Sequence, residues 1–149
     1  MAAQDGSGPD DRAGSAGLEI TPLVSAVARL REGLDRHLRE PADEQLRDGL
    51  IQRFEFTYEL AHRLLRRYLR EVSASPASLD QMTFADLIRS GNEQGLLRGD
   101  WPAWRRYRDM RARTSHTYDV TVAAQVVAGI PDFLAEAVYL RDQLQRRLT

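Results

Sequence analysis

Apolar side chains return every three or four positions over most of this chain, and no stretch alternates strictly as a strand would. Leu23, Val27, Leu30, Leu34 and Leu38 predict an amphipathic helix ending at Pro41. Thr21-Pro22 reads as its start, with a hydroxyl N-cap and Pro at the first helical position. A second helix is expected from near Asp43. Its stripe of Leu46, Leu50, Phe54, Thr57, Ala61, Leu64 and Tyr68 is widened by Ile51, Tyr58, Leu65 and Val72. An apolar stripe that broad marks the central, most buried helix of a bundle.

Residues 73–81, with Ser, Ala and Pro76, read as a loop. Thr83 caps a shorter helix running to about Gln94, with Gly95 as its stop. Asp100 ahead of Trp101-Pro102 starts a fourth helix, whose inner face carries Trp104, Tyr107, Met110 and Thr114. Asp119 opens the last helical segment. Pro131 is expected to kink or split it before it continues through Leu134, Val138, Leu144 and Leu148. The pattern predicts an all-α antiparallel bundle of four to five helices without internal repeats, over residues 21–149. Residues 1–20 are rich in Gly, Ala, Ser and Asp, lack periodicity, and are expected to form a disordered leader.

At 149 residues and 42% hydrophobic content the chain can bury the core of one domain. It has no cysteine, which excludes disulfides and thiolate chemistry and fits a cytoplasmic location. No basic and apolar signal segment stands at the N-terminus, and no apolar run approaches the roughly 20 residues of a membrane span. The net charge of -1 disfavours a generic nucleic-acid binder, but its distribution is uneven. All 21 basic residues are Arg, and six of them (98, 105, 106, 108, 111 and 113) face only Asp100 and Asp109 between positions 98 and 113. A local basic patch is the result.

The end of that patch, Arg111-Ala-Arg-Thr-Ser-His-Thr-Tyr-Asp119, concentrates the candidate chemistry. Arg presents a fixed cation with a forked donor set suited to phosphate, and His exchanges protons near neutral pH. On a straight helix, however, Arg111 and His116 lie about 140° apart around the axis. Arg113 shares the side of His116, and Tyr118 returns to the face of Arg111. Either the helix loosens around Thr114-Ser115, or a second copy of the chain completes the site. The simpler alternative has His116 bonding a helix-end carbonyl and Arg111 standing as a solvated charge.

Two blocks of sequence carry a resemblance. Leu46-Arg-Asp-Gly-Leu-Ile-Gln-Arg-Phe-Glu-Phe-Thr-Tyr-Glu-Leu60, followed by Arg111-x4-His116-Thr-Tyr118-Asp, resembles the nucleotidyltransferase substrate-binding family of the HEPN superfamily, which includes HepT-type toxins. The similarity covers roughly residues 21–148. It implies a helical bundle, a homodimer with the Arg/His motifs of two protomers facing each other, and a minimal nucleotidyltransferase encoded nearby as partner. It further implies a metal-independent endoribonuclease in which Arg111 and His116 are catalytic. His116 would move a proton to or from a ribose hydroxyl or leaving oxygen, and Arg111 would stabilise charge on the phosphate. Tyr118 matches the tyrosine that the partner adenylylates to silence such toxins. The alternative role is a non-catalytic substrate-binding subunit of that nucleotidyltransferase. Relatives usually carry a polar residue directly after the motif Arg; Ala112 here removes that hydrogen-bonding group.

Arg108, Arg113 and Ser115 are further candidates for contact with RNA. Glu55 and Glu59, at i and i+4 with Gln52 and His62 on their face, hint at a metal site, but no second helix offers a matching Glu-x-x-His pair. Ion pairing with nearby Arg is the expected role, and support of Arg111 across the bundle is a further candidate. No metal or cofactor is expected. His37, near the end of the first helix, reads as structural. Trp101, Trp104 and Tyr107 have spacing compatible with base stacking but more typical of a core.

Overall fold

The computed structural model describes residues 18–148, and within them the chain is helical with no strand. The elements are α1 (Thr21–Arg39), α2 (Glu44–Val72), α3 (Pro76–Gln81), α4 (Phe84–Glu93), α5 (Trp101–Arg113), a 3-10 turn (Thr114–His116) and α6 (Val120–Leu148). The all-α bundle expected from periodicity is the observed architecture. α2 is its axis and touches every other helix but is covered chiefly by α1, α6 and α3.

Periodicity places most of the core correctly. Leu50, Ile51, Phe54, Tyr58, Leu64, Leu65 and Leu69 of α2 are buried against Leu23, Val27 and Leu30 of α1 and Ile130, Phe133 and Leu140 of α6. Each such side chain contributes about 1.5–3 kcal/mol on leaving water. Aromatic rings fill the centre edge to face: Phe54 meets Phe133 at 5.0 Å between centroids, and Tyr107 meets Phe133 at 5.3 Å. At helix ends the stripe drifts off the core. Leu38 is 63% exposed while His37 beside it is buried, and Val72 also faces outward.

Several local expectations are corrected. Thr21 does not cap α1 but is its first residue; Ile20 takes the cap position without a side-chain hydrogen bond, and Glu19 Oε1 accepts from the Thr21 amide at 3.0 Å and its hydroxyl at 2.6 Å. These two donors hold the Glu19 carboxyl below its ordinary pKa. Leu18 is buried in the core, so the packed domain begins before Thr21. The rest of the expected leader, residues 1–17, lies outside the described residues.

Residues 76–81 form a short helix where a loop is expected: Pro76 occupies its first turn and Leu79 anchors it in the core. Arg66 of α2 donates to the Leu79 carbonyl and fixes it there. Helix α6 runs unbroken through Pro131. Pro131 is exposed, so water can serve the carbonyl it leaves unpaired, while Val126 and Ile130 before it and Phe133 and Leu134 after it are buried.

By length and composition α6 qualifies as a membrane span, contrary to the expectation from run lengths: its best 18-residue window has a mean hydropathy of 1.3. Between Val120 and Leu140 the only charges are Asp132 and Glu136. In the bundle its buried residues supply one wall of the core.

Candidate functional site

The helix that carries the motif is fixed at both ends. Before α5, the buried Glu136 of α6 accepts from the backbone amides of Arg98 at 2.7 Å and Gly99 at 2.8 Å, and Asn92 Nδ2 donates to the Gly99 carbonyl at 3.0 Å. Burial raises the Glu136 carboxyl pKa, although the two amide donors pull it down. The Asp100 carboxylate then accepts from the Trp101 amide at 2.7 Å as α5 begins. Gly95, with φ at +75°, makes the left-handed turn after α4 that aims this connection.

At the other end Thr114 stops the helix. Its buried hydroxyl lies 2.7 Å from the Arg111 carbonyl, a back-bond that competes with regular helix, and the backbone tightens into the 3-10 turn. Thr117 Oγ1 donates to the Thr114 carbonyl at 3.2 Å. Asp119 closes the connection by accepting from the amides of Thr121 at 2.8 Å and Val122 at 3.3 Å, opening α6.

The two sides of the motif face different ways. Arg111 turns to α2, where Nη1 lies 3.2 Å from Glu55 Oε2 and Nε 3.3 Å from Glu59 Oε1. The Thr114 hydroxyl is 3.0 Å from the same Glu55 oxygen and accepts from Arg111 Nη1 at 3.2 Å. Glu55 and Glu59, one turn apart on α2, thus find their arginine partner in Arg111. Each of the three side chains is about one-third exposed. His116 and Tyr118 instead lie at the surface, their rings edge to face at 6.2 Å, with Tyr118 85% exposed.

The helix therefore does loosen at Thr114, yet no hydrogen bond or ion pair joins Arg111 to His116 within the chain. Loosening alone does not bring the two into hydrogen-bonding contact. Arg113 bonds the Gln125 amide oxygen of α6, and Ser115 donates to the Ala112 carbonyl at 3.4 Å. Arg108 sits over the Phe84 ring at 5.8 Å.

Two residues noted in the sequence take roles not assigned to them there. Thr114, expected on the inner face and at the point of loosening, also bridges Arg111 and Glu55. His62 lies 3.3 Å from Glu59 Oε2 and packs edge-on against Phe84. Burial pulls its pKa below the ordinary histidine value, with Glu59 acting in the opposite direction, so the neutral ring is favoured. Trp104 and Tyr107 are core residues, Tyr107 reaching Asp132 with its hydroxyl at 3.2 Å, whereas Trp101 is half-buried.

A helical bundle that holds an Arg/His/Tyr motif at a helix junction, with the Arg backed by carboxylates of the central helix, defines the class of protein. The chain belongs to the family described as nucleotidyltransferase substrate binding protein like, whose model matches residues 18–146. It is 42% identical over 99 residues to the Haemophilus influenzae protein named "Probable ribonuclease HepT", covering 66% of this chain and 67% of that one. Its fold is similar to a solved Haemophilus influenzae structure described as a substrate binding domain of a nucleotidyltransferase. That match has a TM-score of 0.79 and 33% identity, over 85% of this chain and 99% of the other.

Proposed function

We propose that this chain is the HEPN-type subunit of a two-component system with a minimal nucleotidyltransferase, and that it is a metal-independent endoribonuclease silenced by adenylylation of Tyr118. The observation that carries the reading is the division of the motif: a fixed Arg111 beside an exposed His116 and Tyr118. A homodimer, cytoplasmic like its partner, sets the His116 of one protomer opposite the motif of the other. This supplies the convergence that a single chain lacks.

In this reaction the ribose 2′-oxygen attacks the adjacent phosphorus and loses its proton to one His116. The bond from phosphorus to the 5′-oxygen breaks, and that oxygen takes a proton from the His116 of the second protomer. Arg111 faces the phosphate as negative charge gathers on its non-bridging oxygens. Its pairing with Glu55 and Glu59 sets the guanidinium in one orientation. Adenylylation forms a bond from the Tyr118 hydroxyl oxygen to the α-phosphorus of ATP and releases pyrophosphate. The added phosphate and nucleoside then occupy the surface where RNA would approach, by bulk and by charge.

A second reading, a non-catalytic subunit that presents substrate to the nucleotidyltransferase, is favoured by one feature: Arg111 already faces two carboxylates, and Ala112 adds no polar group beside it. RNA digestion without added metal separates the two. Cleavage by the wild type that is lost in His116→Ala and Arg111→Ala is expected; equal residual cleavage in all three proteins excludes the enzyme. Mass spectrometry after co-expression with the partner tests Tyr118, where an unmodified tyrosine in an inactive complex excludes silencing by adenylylation.

A further inference from the structure

Trp101, Arg105, Arg108 and Ala112 follow one another at i, i+4, i+7 and i+11 on α5, and so share one strip of its surface that ends beside Arg111. Arg105 and Arg108 are exposed, and neither is ion-paired with a carboxylate among the described residues. Across the seam on α2, the Arg63 side chain is 72% exposed and reaches Glu59 only at 3.9 Å.

The floor of the seam is aromatic. Phe84 is half-buried under the Arg108 guanidinium, with Trp101 at 5.8 Å and His62 at 5.5 Å, both edge-on to it. On the opposite side, Arg106 of α5 and Arg98 before it both reach Asp132, at 3.6 and 3.4 Å, Arg113 bonds Gln125, and Asp109 lines the hollow there. Arg105 and Arg108, by contrast, have no such partners among the described residues, and Arg108 lies over the Phe84 ring.

We propose that this strip is a track for single-stranded RNA leading away from the Arg111/His116 site, with Arg63, Arg105 and Arg108 contacting phosphates and a base stacking on the Arg108–Phe84 pair. Aromatic and guanidinium planes recognise unstacked bases, which a duplex keeps inside. Ala112 leaves the strip open between Arg108 and the site. The choice of RNA as ligand rests on the function proposed above; the track itself rests on the exposed Arg63, Arg105 and Arg108 and on the seating of Arg108 over the Phe84 ring.

The test is fluorescence anisotropy on the full chain carrying His116→Ala, with labelled 6-mer and 18-mer oligouridine and an 18-base-pair RNA duplex, across a KCl series. The 18-mer is expected to bind more tightly than the 6-mer. Arg105→Gln with Arg108→Gln should weaken 18-mer binding at least tenfold at low salt and flatten the slope of log K against log salt by about 1.4, near 0.7 for each single-strand phosphate that is no longer neutralised. Phe84→Leu should weaken binding about fivefold or more with the slope unchanged, and Arg31→Gln with Arg39→Gln on α1 should change neither.

An unaltered slope in the double arginine variant, or duplex binding as tight and as sensitive as that of the 18-mer, overturns the track. That exposed double variant keeps the test valid even if Phe84→Leu fails to fold. A wild type that cuts no RNA but shows the slope change refutes the nuclease and leaves the track standing. A wild type that cuts RNA while its binding ignores Arg105 and Arg108 does the reverse.

Discussion

Arg111 and Glu55 meet at 3.2 Å across α5 and α2, and the Thr114 hydroxyl reaches the same carboxylate oxygen at 3.0 Å. One threonine therefore ends the helix, accepts from the arginine and ties both to the central helix. Thr114→Val keeps the shape and removes the hydroxyl. It should cost about 1 kcal/mol by urea denaturation and reduce RNA cleavage, with Thr114→Ser restoring both. A fully active and stable valine variant would show that the hydroxyl does not position Arg111.

The carboxylates beside Arg111 are expected to matter more for turnover than for stability. All three groups are partly exposed, so Glu55→Gln or Glu59→Gln should cost less than about 1 kcal/mol each. Removing a negative charge should tighten RNA binding at low salt while lowering kcat, because Arg111 loses its fixed orientation. If kcat rises along with affinity, the carboxylates restrain the arginine by neutralising it.

Glu136 should give the stability a particular pH dependence. Its carboxyl pKa is raised above 4.5 by burial, so the native state retains a proton that the unfolded chain has released. The stability associated with that proton is complete below about pH 4.5 and is lost as pH rises through the native pKa. Thermal unfolding should show the Tm of the wild type falling relative to Glu136→Gln over that rise. A constant difference would mean that Glu136 keeps an ordinary pKa.

The approach of Gly99 to Glu136 yields a separate expectation. A Cβ at position 99 would stand 2.9 Å from Glu136 Oε1 and 2.8 Å from the Ala103 Cβ. Gly99→Ala should therefore destabilise by about 1–3 kcal/mol in urea melts. It should also lower RNA cleavage, since the start of α5 sets where Arg111 lies.

In the core, Phe54→Ala should cost about 3–5 kcal/mol, because the ring is fully buried edge-on to Phe133. Against a domain stability of about 5–15 kcal/mol, that brings the bundle close to its unfolding threshold at 25 °C. A loss below 1 kcal/mol in chemical denaturation would show that the core closes over the space the ring leaves.

How far the chain is legible without its fold can be judged residue by residue. Asp43 and Thr83 are recognisable caps because their oxygens bond amides three residues on, at Leu46 and Asp86. Thr21 misleads because its hydroxyl bonds the Glu19 carboxylate instead of a helix amide, while Ile20 takes the cap position. Pro131 does not split α6, because buried residues on either side of it hold the helix together. Pairing of Glu55 and Glu59 with arginine is anticipated from charge alone, whereas the bridge through Thr114 and the contact of His62 with Phe84 are visible only once α2, α4 and α5 are packed together.

The sequence by itself determined every helix but α3, the central place of α2 and the residues of the Arg/His/Tyr motif. Helical periodicity and capping act within a few residues, and are written into any short window of the chain. Only the tertiary structure decided that Arg111 turns inward to α2 while His116 and Tyr118 face outward, and that Arg108 comes to lie over the Phe84 ring. The first outcome depends on partners more than fifty residues apart, as Thr114 is from Glu55, and the second on α4 meeting α5; both contacts form only when the helices pack.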